Sequence, residues 1–380
     1  MKRKIAVITG SRSEYGILKP VMKELISNKN LKMYLIVTGM HLSKKHGYSI
    51  KEILNDGFFI NYKFQMMPQG NTSYDMLKAF SKGIEQFGKI FKKVNPDIVL
   101  ILGDRDEIFA AAIASSHMHI PLAHIHGGDR TKGGIDEYNR HAITKISNIH
   151  FAASKESFSR IIKLGEAPKF VFNTGSPSID GIFQNDIPSK FEMQKKYGLL
   201  FTGQDVLLVF HPVTTEKQNG LKTIRNMLFV LKKLKLNVIA IAPNSDAGSF
   251  EIFKELSNFS NNYEHCKLFA NLPRNDYLSL LQNCSILIGN SSSGMIEAGY
   301  FKIQVINIGI RQDKREHSTN VTNISNSKRL IQKELKRALN FKKPFKKSTI
   351  YGKGKASKKI VKILETIPLD KKLIQKQITY

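Results

Sequence analysis

The chain is short of cysteine. Among 380 residues only Cys266 and Cys284 carry thiols, and they form no CxxC or other ligand-like spacing. That excludes a disulfide framework and a structural zinc site, and a reducing cytoplasm fits. Long apolar runs are also missing. Nothing approaches the roughly 20 consecutive apolar residues that span a bilayer, so no membrane partner is expected. The start of the chain is a basic lead into a short apolar run without a small-residue cleavage site, and it is not read as a signal peptide. Acidic residues are scarce beside basic ones: 31 Asp and Glu face 59 Lys and Arg, a formal net charge of +28. Such an excess suggests nucleic acid as a partner. Yet the lysines are spread along the chain, densest from Lys328 to Lys376, and no aromatic–basic ladder or nucleic-acid motif accompanies them. A solvated Lys-rich surface that steers anionic substrates is the expectation, with no nucleic-acid partner.

What is present is a core and a rhythm. Hydrophobic residues make up 41% and charged residues 24%, enough for a packed interior. Short apolar runs, closed by Gly, His or Asp, predict strands over Ile5–Thr9, Met33–Val37, Ile98–Leu102, Leu122–Ile125, Ile149–Ala153 and Phe170–Asn173. Amphipathic stretches such as Ile17–Ser27, Met76–Val94, Glu107–His117 and Glu137–Ser147 lie between them. The pattern restarts with strands at Val206–Phe210, Val238–Ala242, Lys267–Ala270, Ile286–Ile288 and Val305–Ile308, separated by further helices, among them Ser293–Tyr300. The polar stretch Asn185–Phe201 reads as a linker. Alternation of this kind predicts an α/β protein of two Rossmann-like domains, each with a parallel sheet, facing across a cleft. The expected boundaries are 1–184, 185–350 and a C-terminal helical segment 351–380 that packs back on the first domain.

Five strand ends carry candidate chemistry. Thr9-Gly10-Ser11-Arg12 is a small turn whose N–H groups and helix N-terminus suit an anion, with Arg12 as a phosphate fork; an ordinary βα turn with a surface Arg reads equally well. Gly103-Asp104-Arg105-Asp106-Glu107 places Asp104 and Arg105 at a strand's carboxyl end, where ligands bind in open α/β sheets. Asp106 and Glu107 read as helix-capping acids. His124-Ile125-His126-Gly127-Gly128-Asp129, followed by Asp136-Glu137 and Arg140-His141, gathers imidazoles and acids. His124 and His126 are expected on one side of a strand by its period of two. No third ligand stands at a recognisable spacing, so no metal is expected. His211-Pro212-Val213-Thr214-Thr215-Glu216 follows a strand of the second half. Gly289-Asn290-Ser291-Ser292-Ser293-Gly294, with Glu297 expected in the first turn of the next helix, suits a diphosphate, although a plain Ser cap accounts for it alone.

Taken together, in this order, these motifs resemble the UDP-N-acetylglucosamine 2-epimerases. Val37-Thr38-Gly39-Met40-His41-Leu42, Arg140-His141-Ala142-Ile143-Thr144-Lys145 and Arg311-Gln312 add to the match, which runs from about residue 4 to about residue 315. The resemblance is to the hydrolysing branch that feeds sialic-acid-type sugar synthesis. It implies a GT-B-like arrangement, no cofactor, and UDP held by His211, Ser291, Ser292, Glu297 and Arg311, with Arg12 from the first domain. Asp104 and Asp136 match acid–base carboxylates. The implied reaction is elimination of UDP across C1 and C2 to a 2-acetamidoglucal, then hydration to N-acetylmannosamine. Many relatives have Glu where this chain has His126, which leaves the base open among His126, Asp129 and Glu137. Ile17 stands where some relatives have Lys near the phosphates.

The resemblance makes UDP-N-acetylglucosamine the expected substrate. A nucleotide-linked 2,4-diacetamido-2,4,6-trideoxy sugar, of the legionaminic-type pathway, is the alternative. Glycosyl transfer on the same fold would need an acceptor site, and the acid–His cluster from Asp104 to His141 argues against it. A homodimer or homotetramer is expected, because relatives assemble so.

Overall fold

The computed structural model describes residues 2–379 apart from 45–46, 69, 71, 133–134, 185–186, 214–216, 244–247 and 342–344. By internal contacts the chain divides into two units: Met1–Asp129, Asp136–Gln184 and Tyr351–Tyr380 form the first, and Arg130–Ile135 with Asn185–Ile350 form the second.

The first unit holds the strands β1 (Arg3–Thr9), β2 (Leu31–Val37), β3 (Tyr62–Lys63), β4 (Ile98–Leu102), β5 (Leu122–Ile125), β6 (Ile149–Ala152) and β7 (Val171–Asn173). They pair in parallel in the order β3-β2-β1-β4-β5-β6-β7. Such a sheet is covered on both faces, which is why its central strands are apolar throughout rather than alternating. Alternate residues of β1 enter opposite layers. Ile5 and Val7 pack with Leu18, Met22 and Leu25 of the helix Arg12–Ser27 and with Ile360 and Leu364 of Ala356–Thr366. Ala6 and Ile8 pack with Phe87 and Phe91 of Ser73–Val94 and with Ala110 and Ala111 of Asp106–His117.

The second unit repeats the plan. Its strands are β8 (Val206–Val209), β9 (Val238–Ile241), β10 (Cys266–Phe269), β11 (Ile286–Gly289), β12 (Gln304–Ile308) and β13 (Val321–Ile324). They are parallel in the order β10-β9-β8-β11-β12-β13. Val206, Leu208, Ile286 and Ile288 meet Ile224 and Leu231 of the helix Lys217–Lys233 and Ile331 and Leu335 of Lys328–Leu339. In both sheets the order reverses beside the first strand, between β1 and β4 and between β8 and β11. Ligands of doubly wound sheets bind at such switch points.

Two local expectations are corrected, and two edge strands lie outside the expected set. The stretch read as a linker contains the helix Lys190–Tyr197, fixed by a Ser189/Glu192 capping box and ended by Gly198 at φ 60°. The expected helix over 293–300 is broken: Ser292–Ile296 ends on Glu297, so Glu297 is a C-cap and not a first-turn residue. The sheet-edge strands β3 and β13 lack the apolar run that identifies a strand, being two residues long and half-polar respectively.

Candidate functional site

The turn after β1 is built by a capping box. Ser11 caps the helix Arg12–Ser27, and Glu14 reaches back so that its Oε2 accepts from Gly10 N at 3.0 Å and Ser11 N at 3.1 Å. This corrects the open-turn reading: those two N–H groups already serve a carboxylate of the chain itself. Glu14 is buried, and burial, aided by repulsion from Glu107, pushes its carboxyl up to about 8. Glu107 packs against Gly10, where a Cβ would come within 3.0 Å of it. Arg105 answers both acids, with Nε 3.4 Å from Glu107 Oε2 and 3.9 Å from Glu14 Oε1. Arg105 thus opposes the upward shift of Glu14, and Glu107, packed on Gly10 and paired with Arg105, does more than complement a helix dipole. Arg105 is also the N-cap of Asp106–His117, without a side-chain cap bond, and Asp106 and Glu107 stand in the helix's first turn. Arg12 lies at the start of its helix in an ion pair with Glu52 at 2.6 Å.

At the end of β4 the chain presents Asp104. Thirty-six residues later in sequence comes Arg140, whose Nε donates to Asp104 Oδ2 at 2.7 Å. Arg140 Nη1 donates to Glu137 Oε2 at 2.7 Å and to Asp129 O at 3.1 Å. Burial works against the guanidinium's charge, but Asp104, Asp129 and Glu137 outweigh it and raise its pKa. His141 Nε2 lies 3.0 Å from the other oxygen of Glu137. Glu137, Arg140 and His141 share one helix face by their i, i+3 and i, i+4 spacing. Asp136 is half-buried in the first turn of the same helix, Ile135–Ile146. The structure therefore brings Asp104, Glu137, Arg140 and His141 into one chain of contacts.

The two histidines of β5 part company. His124 is fully buried, its Nε2–H donates to Gly103 O at 2.8 Å, and burial takes the imidazole down to about 3. It is a neutral strut under the β4 turn. His126 lies beyond the strand's end at φ 68°, so the two do not share a strand face as expected. Its Nε2 is 2.8 Å from Ser176 Oγ and its Nδ1 is 3.6 Å from Asp129 Oδ2. Gly127 cannot carry a Cβ without meeting His124 Nδ1 at 2.9 Å, which accounts for the first glycine of the pair. No group of three or more potential metal ligands occurs among the described residues.

In the second unit, Asn290 ties the β8 and β11 ends together: it accepts from His211 N at 2.7 Å and donates to His211 O at 2.8 Å. Burial and the adjacent Arg311 push His211 down to about 3. Arg311 Nη1 donates to Asn290 O at 3.3 Å. Ser291 caps the helix Ser292–Ile296 and accepts from Ser293 N, which leaves Ser291 and Ser292 half-buried at its start. Glu297 accepts two N–H groups of Arg274, one at 3.2 Å. His211, Asn290 and Arg311 therefore meet at the switch point between β8 and β11, where Ser291 and Ser292 begin the next helix and Glu297 ends it. Residues 214–216 of the His211 motif lie outside the described residues.

Several partners escaped the sequence reading. Glu14 had a signal in the Ser11-x-x-Glu14 spacing. His41, inside a recognised motif, is buried between Thr9 Oγ1 at 3.0 Å and Ser49 Oγ at 2.8 Å. Ser176, Glu52 and Arg274 have no local signal, because their partners lie far away in sequence. The assembled sites offer carboxylates around one buried cation in the first unit and an anion-suited helix start beside Arg311 in the second. No helix among the described residues is long and apolar enough to cross a membrane.

Comparison with known proteins gives a consistent answer. The family model described as UDP-N-acetylglucosamine 2-epimerase matches residues 23–365. The chain is 35% identical over 376 residues to a UDP-N,N'-diacetylbacillosamine 2-epimerase (hydrolyzing) of Legionella pneumophila, covering 99% of each chain. It is 37% identical to the polysialic acid biosynthesis protein P7 of Escherichia coli, over 87% of this chain and 84% of that one. Its fold is that of the UDP-GlcNAc 2-epimerase of Neisseria meningitidis, solved bound to UDP-GlcNAc, with a TM-score of 0.80, 19% identity, and 95% and 99% of the two chains covered.

Proposed function

Since the chain belongs to the UDP-N-acetylglucosamine 2-epimerase family, we propose that it is a hydrolysing 2-epimerase of a nucleotide-linked 2,4-diacetamido-2,4,6-trideoxy sugar. The Legionella relative, named for such a substrate and matched from end to end, favours this sugar over the one first expected. UDP-N-acetylglucosamine, giving N-acetylmannosamine, is the second reading, favoured by the polysialic acid name of the Escherichia coli relative.

The observation that carries the catalytic reading is Arg140, one buried guanidinium shared by Asp104 and Glu137. In the first step a base takes the C2 proton, the C1–O bond breaks, and its electron pair leaves with the nucleoside diphosphate. In the second step water adds to the C1=C2 bond, with hydroxyl to C1 and a proton to C2 from the opposite face. The sum is substrate plus water giving free 2-epimer plus nucleoside diphosphate, with no change of oxidation level. The steps need acid–base groups and cations, and we assign the acid–base work to Asp104, Asp136, Glu137 and His126. His211, Ser291, Ser292, Glu297 and Arg311 hold the nucleotide, with Arg12 for its phosphates. The assembly is a homo-oligomer on the same reasoning by family.

The test is incubation with both nucleotide sugars in deuterated water. The expected result is a free manno-configured sugar with deuterium at C2, formed faster from the diacetamido substrate. Faster turnover of UDP-N-acetylglucosamine selects the second reading. An epimerised sugar still joined to its nucleotide sinks the hydrolytic mechanism.

A further inference from the structure

His126 stands in left-handed backbone, where non-glycine residues are uncommon and are held by their surroundings. Its N–H donates to Phe151 O at 3.1 Å, and Ser176 Oγ meets its ring at 2.8 Å. Ser176 is itself tightly held. Its N–H donates to Tyr351 O at 2.7 Å, and its hydroxyl accepts from Ser178 N at 3.2 Å and meets Ser178 Oγ at 2.8 Å. Ser176 and Ser178 are 0% exposed and Tyr351 3%, so water does not compete for these bonds. The two loop segments touch through glycines: a Cβ on Gly175 would lie 3.0 Å from Tyr351 O, and one on Gly352, at φ 112°, 3.3 Å from Gly175 Cα. Tyr351 is where the chain re-enters the first unit, and Asp180 fastens the segment by accepting from Ala356 N at 3.0 Å.

Counting protons selects one arrangement. A serine hydroxyl has one proton and two lone pairs. One lone pair of Ser176 takes the Ser178 N–H. If Ser176 accepted from His126 Nε2–H, the ring would turn the bare lone pair of Nδ1 toward Asp129 Oδ2, 3.6 Å away. If Ser176 instead donates to Nε2, the ring presents Nδ1–H to that carboxylate, and the hydroxyl of Ser178 fills the remaining lone pair of Ser176. The second arrangement puts opposite partial charges face to face.

We propose that Ser176, anchored by the returning segment at Tyr351, is a positioning residue that holds His126 in its Nδ1–H tautomer and in one orientation. The role rests on His126 acting in the reaction proposed above. The full-length protein labelled with nitrogen-15 histidine tests it, with His126 identified by the signal lost in His126→Gln. Neutral His126 is expected as Nδ1–H in the wild type. In Ser176→Ala, Asp129 still favours Nδ1–H, but Nε2 loses its donor, so the Nε2 resonance should shift to that of an acceptor without a hydrogen bond. With the ring no longer held in one orientation, kcat should fall on the order of 10²-fold, as for a displaced reacting group, with KM within about threefold. An Nε2–H wild-type ring, or a Ser176→Ala protein that keeps the wild-type signal or the wild-type kcat, overturns the proposal. Should Ser176→Ala fail to fold, the wild-type spectrum still decides. Because that spectrum is recorded on resting protein, it stands apart from failure of the epimerase assay.

Discussion

Arg140 Nε donates to Asp104 Oδ2 at 2.7 Å, joining the end of β4 to a helix that begins 31 residues after Asp104. The side chain of Arg140 is 4% exposed, against 19% for Asp104 and 24% for Glu137. Replacing it by Met puts an apolar group beside both carboxylates and removes the guanidinium they share. Removing one partner of a buried pair costs about 3–5 kcal/mol, and the partial exposure of the acids places this case near about 3. Urea denaturation measures it. A loss under about 1 kcal/mol would show that water replaces the guanidinium without cost.

Asp104→Asn keeps the shape of the side chain and removes its ability to carry a proton. Loss of a positioned acid or base costs on the order of 10²–10⁴ in rate. The expected outcome is a fall of that size in UDP release, with the calorimetric Kd for UDP within about threefold of wild type, since the residues assigned to UDP include no part of Asp104. Retained turnover removes Asp104 from the mechanism.

Why these partners and not others were visible beforehand has a physical reason. The strands Ile98–Leu102 and Leu122–Ile125 coincide with their expected bounds because they are fully buried and closed by Gly and His. Switch-point residues such as Asp104 and Ser291 follow from strand ends, so a local pattern reaches them. The bond between Arg140 and Asp104, the grip of Glu52 on Arg12 and the contact of Ser176 with His126 depend on which turns meet in space. No local period encodes that. The separation of His124 from His126 was hidden for another reason: alternation holds only while the strand continues, and β5 stops at Ile125.

Buried neutral histidines make stability fall in acid. Burial lowers His124 to about 3 and His41 to about 4, both below the unfolded value of 6.5. Above pH 6.5 both states are neutral and the stability is fully present. As pH falls below 6.5 the unfolded chain takes up protons that the folded one refuses, so stability is lost progressively toward the folded values. At pH 5 the loss is about 2 kcal/mol for each residue. Thermal melts between pH 7.5 and 5 should show the decline, and His124→Gln should flatten it. An unchanged slope in that variant would mean that His124 is protonated in the fold.

Glu52 competes with any phosphate for Arg12, since it holds Arg12 Nε at 2.6 Å with both side chains more than a fifth exposed. Glu52→Gln removes a negative charge from the approach and frees the guanidinium. UDP should bind a few-fold tighter, and more so at low salt, where charge is less screened. A weaker Kd in Glu52→Gln would mean that the pair holds Arg12 in its binding position, and an unchanged one that Arg12 does not meet the phosphates.

Glu297 is almost fully buried, and Arg274 binds both of its oxygens. Arg274 Nε is buried with no hydrogen-bond partner among the described residues, so the guanidinium spends its other two nitrogens on this one carboxylate. The pair fixes the direction of the remaining lone pairs of Glu297, which is what an acceptor of ribose hydroxyls needs. Wild-type protein should then prefer UDP to 2′-deoxy-UDP on the order of tenfold, about 1.4 kcal/mol, as a hydrogen bond to a charged group allows. Arg274→Met removes the orientation and leaves the carboxylate in place, so the preference should shrink to within about threefold while the phosphate contribution remains. Calorimetric titration of both nucleotides into both proteins reads the four constants. Equal binding of UDP and its deoxy analogue by the wild type would take Glu297 out of the ribose site. A preference that survives Arg274→Met would show that the buried carboxylate keeps its direction without the guanidinium.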